Sequence, residues 1–223
     1  MQNILSNIII SVNDKLYVKN PETSDLGKKI IEQSILLIDE IGFENFTFKK
    51  LGEKINSNES SIYRYFESKH KLMLYLSSWY WGWIEYKLAF ATTNVSNPME
   101  RLKKGITIVT EKVEDDSTTL HINEAILNKI IIQEFTKTLL TKEVDEENKI
   151  GFFLVYKRVI NRIIEMINEV NPNYAFAKSL ASSIVEGALH QHFLKDHLKT
   201  ITNCNETVSP TDFYINLIEN TLR

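Results

Sequence analysis

Two periodicities divide the chain. Residues 8–12 and 15–19 are short β-prone runs around Asn13-Asp14, a pattern that predicts a small hairpin with a two-residue turn. Such a hairpin is marginal alone and must dock on the main body. From Asp25 onward the apolar positions recur at 3.6 instead of 2. Ile30, Leu37, Ile38 and Ile41 form one stripe, opened by a cap at Ser24 or Asp25 and closed at Gly42. Thr47 caps a second, short helix with Phe48, Leu51 and Ile55 on one face. Asn56 tolerates the left-handed backbone of a tight turn, and Asn58 caps a third helix with Ile62 and Phe66 inward. Ser68 then caps a fourth helix over about 69–91.

The rest repeats the helical period. Asn97-Pro98 opens a helix toward Val113, and further helices are predicted over 120–140, 150–170, 174–198 and 211–222. The expectation is an all-α chain of about nine helices. It comprises an N-terminal arm (1–23), a three-helix head (24–70) and a larger helical body (71–223). Composition mainly excludes: 7 Gly and 4 Pro in 223 residues are too few for the turns of a sandwich or barrel. One cysteine, Cys204, rules out an intramolecular disulfide framework and a cysteine-only zinc site. The N-terminus lacks a basic region and a small-residue cleavage site, and the longest apolar stretch, 72–84, is too short to span a bilayer. A soluble, cytoplasmic protein without a membrane partner is expected. No metalloprotease helix motif, glycine-rich phosphate loop or serine elbow occurs, so neither an enzyme nor a cofactor is expected.

With Lys+Arg 26 against Asp+Glu 29 the net charge is -3, so any nucleic-acid site must be local. Residues 46–75 are locally +3, through Lys49, Lys50, Lys54, Arg64, Lys69 and Lys71 against Glu53, Glu59 and Glu67. The second and third helices with their short turn make a helix-turn-helix, whose second helix can enter a major groove. Its inward residues assigned, Ser60, Ser61 and Arg64 remain on an outward face. Small hydroxyls allow close approach, and an arginine can bind guanine O6 and N7 together. Tyr63 and Tyr65 flank that face with hydroxyls suited to phosphate oxygens. Cations in Ser68-Lys69-His70-Lys71 oppose the helix dipole but, with free N–H groups, suit a phosphate. Glu59 is either a contact to cytosine N4 or simply an acid in a first helical turn.

At these residues the chain resembles the DNA-binding head of TetR-type transcriptional regulators. The matching stretches are Ile-Gly-Phe-Glu-Asn-Phe-Thr-Phe-Lys-Lys-Leu-Gly-Glu-Lys-Ile and Ser-Ile-Tyr-Arg-Tyr-Phe-Glu-Ser-Lys-His-Lys-Leu. Asn56 stands where the family has a glycine, Ser57 where it has valine, and Tyr65 where histidine is frequent. The resemblance implies that Thr47, Tyr63, Tyr65 and Lys69 contact phosphates and that Ser60, Ser61 and Arg64 face bases, with Lys50 on the same surface. It further implies a homodimer, a palindromic double-stranded DNA operator, a small-molecule effector and action more often as repressor than activator. The alternative is a helical ligand-binding protein of this fold that no longer binds DNA.

In the body, Tyr75, Trp79, Trp83 and Tyr86 recur at spacings of 4, 4 and 3 on the fourth helix. They line an effector pocket or fill a core, and helical spacing is common to both. A ligand wedged against Trp79 or Trp83 would act on the head through that helix. Arg158 and Arg162 meet an anionic ligand or pair with Glu165 and Glu169 on a solvated face. Glu186, His190 and His197 share a stripe that permits metal ligation, with polar interface residues as the commoner use. Ile184, Ala188, Phe193, Phe213 and Leu217 give the last two helices broad apolar faces, for dimerisation or for packing within the chain.

Overall fold

The computed structural model describes residues 10–114 and 121–223. Among them are ten α-helices and no strand. The helices are α1 (Asp25–Ile41), α2 (Phe48–Ile55), α3 (Glu59–Tyr63), α4 (Lys69–Thr92), α5 (Pro98–Thr110), α6 (Glu124–Leu139), α7 (Val144–Ile150), α8 (Leu154–Val170), α9 (Ala177–His197) and α10 (Pro210–Thr221).

The N-terminal hairpin does not form where the chain is described; Ile8 and Ile9 lie outside those residues. In its place stand two single 3-10 turns, Asp14–Leu16 and Pro21–Thr23. The reason is local. The Asn13 side chain accepts from Lys15 N at 3.0 Å and the Asn20 side chain from Glu22 N at 2.9 Å. These bonds to the backbone two residues on compete directly with strand pairing. The tenth helix is α7, which falls in the gap left between the helices expected over 120–140 and 150–170. It stops at Gly151, whose φ of 94° is left-handed, and the buried Phe152 and Phe153 follow before α8 begins.

Several of the described helix starts follow side-chain caps. Ser24 accepts from Gly27 N, Thr47 from Lys50 N, Asn58 from Ser61 N and Asn97 from Glu100 N. Ser209 and Asp212 form a reciprocal capping box ahead of α10. Helix α4 is apolar on every side, and positions 72–81 are all buried.

The chain forms two compact units. Of the described residues, one takes 10–80, 113–114 and 121–153; the other takes 81–112 and 154–223. In the first, α1 packs on α2 and α6, α2 packs on α3, and the Pro21–Thr23 turn packs on α1. In the second, α8 packs on α5 and α9, and α10 packs on α5 and α9. Gly187 allows that last approach, because a Cβ there would run into the Tyr214 hydroxyl. Among the described residues no helix is long and apolar enough to cross a membrane.

Candidate nucleic-acid interface

The helix-turn-helix is built from α2, a three-residue turn and α3. Leu51, Ile55, Ile62 and Phe66 are buried and hold the two helices together. The turn depends on two backbone features. Asn56 takes φ 54° and ψ 47°, the left-handed region where asparagine substitutes for glycine. At Gly52 a Cβ would lie 2.8 Å from the Ser57 carbonyl, so the turn can fold back only over a residue without one.

The outward face is more selective than the pattern suggests. Ser60 and Arg64 are exposed, and the side chain of Arg64, the C-cap of α3, makes no hydrogen bond or ion pair among the described residues. Ser61 is half-buried and donates its hydroxyl to Asn58 Oδ1 at 2.7 Å. Tyr63 is 48% exposed, its ring edge-on to Phe48 at 5.0 Å. Thr47 is exposed, its hydroxyl oxygen accepting from Lys50 N at 3.2 Å, while Lys50 Nζ donates to the Asn45 carbonyl at 2.9 Å.

Two residues expected on the outer surface have inward partners. Tyr65 is 4% exposed, and its hydroxyl lies 2.8 Å from Ser24 Oγ and 3.4 Å from Lys19 Nζ. Its phenol is held below the ordinary range chiefly by the Ser24 hydrogen bond. Burial opposes that, and Lys19 and Arg64 reinforce it. Lys69 donates to three carbonyls, those of Phe43, Glu44 and Phe46, at 3.0, 3.1 and 3.2 Å. An ammonium has three donors, so this one ties down the loop between α1 and α2. Lys71 lies 4.0 Å over the Phe152 ring, His70 pairs with the buried Glu147 at 2.8 Å, and Lys54 pairs with Glu40 at 2.6 Å. On the helix-turn-helix, Lys49, Lys50 and Arg64 stay exposed with no carboxylate at ion-pair distance among the described residues, and Lys19 joins them from the arm. Reading by local pattern overlooked Lys19, because 46 positions separate it from Tyr65.

The residues considered for a ligand lie on α4 and α8. Trp79 and Trp83 are buried, and Tyr86 is half-buried and stacks on Phe90 at 6.4 Å. Arg158 and Arg162 both reach Glu85, at 2.8 and 3.2 Å, and not Glu165 or Glu169; Glu169 pairs with Arg101 at 2.8 Å. Burial pushes the Glu85 carboxyl up, but the two guanidiniums outweigh it and hold it below the ordinary value. A cavity of about 630 Å³ lies instead among Gln191, Thr202, Asn203, Cys204, Phe213 and Asn216, and Trp79, Trp83, Tyr86 and Arg158 do not line it.

Of the residues considered for self-association, Ile184 and Ala188 are buried within their own unit. Phe193 and Leu217 are half-buried and Phe213 is 44% exposed, so the free apolar surface is narrower than the periodicity implies. Glu186 accepts from the Tyr156 hydroxyl at 2.5 Å, while His190 and His197 flank the Phe193 ring. Among the described residues no three His, Cys, Asp or Glu side chains gather as a metal site.

Residues 30–76 match the family model described as bacterial regulatory proteins, tetR family. Curated protein sequences give no match. Among solved structures, the TetR-family transcriptional regulator PfmR from Thermus thermophilus is similar at TM-score 0.58 and 13% identity, over 87% of this chain and 97% of that one. AibR in complex with isovaleryl coenzyme A and operator DNA gives TM-score 0.56 at 16% identity, over 85% and 97%. The superantigen PfiT gives TM-score 0.59 at 14% identity, over 91% and 98%.

Proposed function

We propose that this chain, whose residues 30–76 form a tetR-family head, is a sequence-specific DNA-binding transcriptional regulator answering to a small-molecule effector. One observation carries the reading: a short helix presents Ser60 and Arg64 to solvent while Ile62 and the following Phe66 lock it against α2. An exposed arginine without an internal partner, beside small hydroxyls, suits the floor of a major groove. The overall fold would not suffice, since the superantigen PfiT shares it.

Arg64 and Ser60 face the bases in this reading, with Thr47, Tyr63 and Lys50 beside the phosphates. The chain acts as a two-fold dimer on a palindromic operator, which sets two recognition helices about one DNA turn apart. An effector regulates it, as the ligand-and-operator complex of AibR illustrates for that protein. Repression is the mode we assign.

Selection of bound fragments from genomic DNA tests this, followed by titration of the recovered site. Arg64→Ala should cost about 1–3 kcal/mol on that site and relax base preference at one position per half-site. Recovery of no enriched fragment, or uniform weakening on every sequence, would remove Arg64 from base reading.

A further inference from the structure

The arm is fastened to the head at the end of the recognition helix. Val18 N donates to the Tyr65 carbonyl at 2.8 Å, and the Ser24 and Tyr65 hydroxyls share a hydrogen bond at 2.8 Å. Further along, Leu16 and Pro21 are buried, and Tyr17 meets the Tyr75 ring edge-on at 6.2 Å. Glu22 accepts from the Tyr75 hydroxyl at 3.1 Å and pairs with His121 at 3.0 Å. Burial pushes that carboxyl up, but His121 and Tyr75 outweigh it and keep it below its ordinary value, so it stays an anion at neutral pH.

This anchoring sets Lys19 in one place. Its ammonium donates to the Tyr65 hydroxyl at 3.4 Å and lies 5.1 Å from the ring centroid. Tyr65 directly follows Arg64, whose charge also acts on that phenol. Lys19 therefore lies against the residue that directly follows Arg64 in the chain. Neither Lys19 nor Arg64 has a carboxylate at ion-pair distance among the described residues, although the chain carries 29 acids. An exposed ammonium without an internal carboxylate is available to an external anion.

We infer that the arm completes the DNA-facing surface, with Lys19 supplying a phosphate contact beside Arg64. The inference rests on the DNA-binding reading above and deepens it. Phosphate is the fitting anion because a lysine on a flexible stem serves as a point charge, whereas the neighbouring guanidinium is suited to a base edge. The arm thus adds to affinity on every sequence without adding to base preference.

The test uses the full chain and a random-sequence duplex of about 30 base pairs, roughly three helical turns. Binding is followed as a function of salt. Lys19→Gln should lower the slope of log affinity against log salt by about 0.9 per chain, and Lys19→Arg should keep the parent slope. Thermal unfolding of both variants should match the parent. A parent-like slope for Lys19→Gln, alongside a reduced one for Lys50→Gln, would place the arm off the interface. An unchanged slope with a lowered unfolding temperature would leave Lys19 as a positioning residue of the arm and likewise overturn the contact. Failure of the parent chain to bind any duplex is a separate result, and it would end the DNA-binding reading itself.

Discussion

Single atoms decide several positions. A Cβ at Gly27 would collide with the Pro21 backbone, so the arm rests on α1 only because that surface is bare. Gly27→Ala should cost about 1–3 kcal/mol, the usual range for overpacking, and release the arm before it unfolds the head. Limited proteolysis checks this: cleavage within residues 10–24 should accelerate while the helical circular dichroism of the rest persists. His192 provides a pH test. Burial holds its imidazole below the ordinary value, partly offset by its hydrogen bond to the Thr110 carbonyl at 2.8 Å. The unfolded histidine takes a proton near 6.5 while the folded one resists. Stability is therefore full above that pH and falls as pH drops toward the folded value. Urea midpoints from about pH 8 to about pH 5 should show the decline, and His192→Gln should flatten it.

Between elements, side chains that look like ligands for an outside partner often bind the chain itself. Lys69 is the clearest case. Its three carbonyl bonds fix the loop that lets α2 start at Thr47. Lys69→Met should destabilise the head by about 1 kcal/mol, since those carbonyls then turn to water. Duplex binding should weaken in proportion to lost folding, with the salt slope unchanged. A slope lowered by about 0.9 per chain would return Lys69 to the phosphate contacts. The arginines of α8 behave alike. Arg158 and Arg162 hold Glu85 of α4, so that end of α4 is tied to α8 by charge as well as by the ring of Trp81 against Tyr156 at 5.0 Å.

For the whole molecule, the proposed dimer draws on whatever apolar surface α9 and α10 leave outside. With Ile184 and Ala188 inside their own unit, Phe213 is the most exposed of the five residues considered. In a two-fold interface each substitution appears twice, so Phe213→Glu sets two buried charges near one axis. Sedimentation should show the variant as a monomer with native helix content, and its binding to a palindromic site should weaken sharply. A variant that stays dimeric would move the interface elsewhere. The cavity bordered by Cys204 and Phe213 opens on the same region, and Trp79 and Trp83 do not line it.

The sequence by itself determined what depends on near neighbours. Caps at Thr47, Asn58, Asn97 and Ser209, the left-handed Asn56 and the inward set Leu51, Ile55, Ile62 and Phe66 all follow from contacts within a few residues. These are the features that make the head legible, and the family match falls on the same stretch. A hairpin expected from β-prone runs failed because asparagine side chains took the local backbone bonds that pairing needed. Only the tertiary structure decided which polar atoms remain free. Tyr65, Lys69 and Arg158 have the chemistry of contact residues, yet partners 23 to 73 positions away claim them. Periodicity assigns a residue to a face of its own helix. Whether another segment covers that face, as for Ile184 and Ala188, or leaves it open, as for Arg64, depends on contacts far apart in the chain.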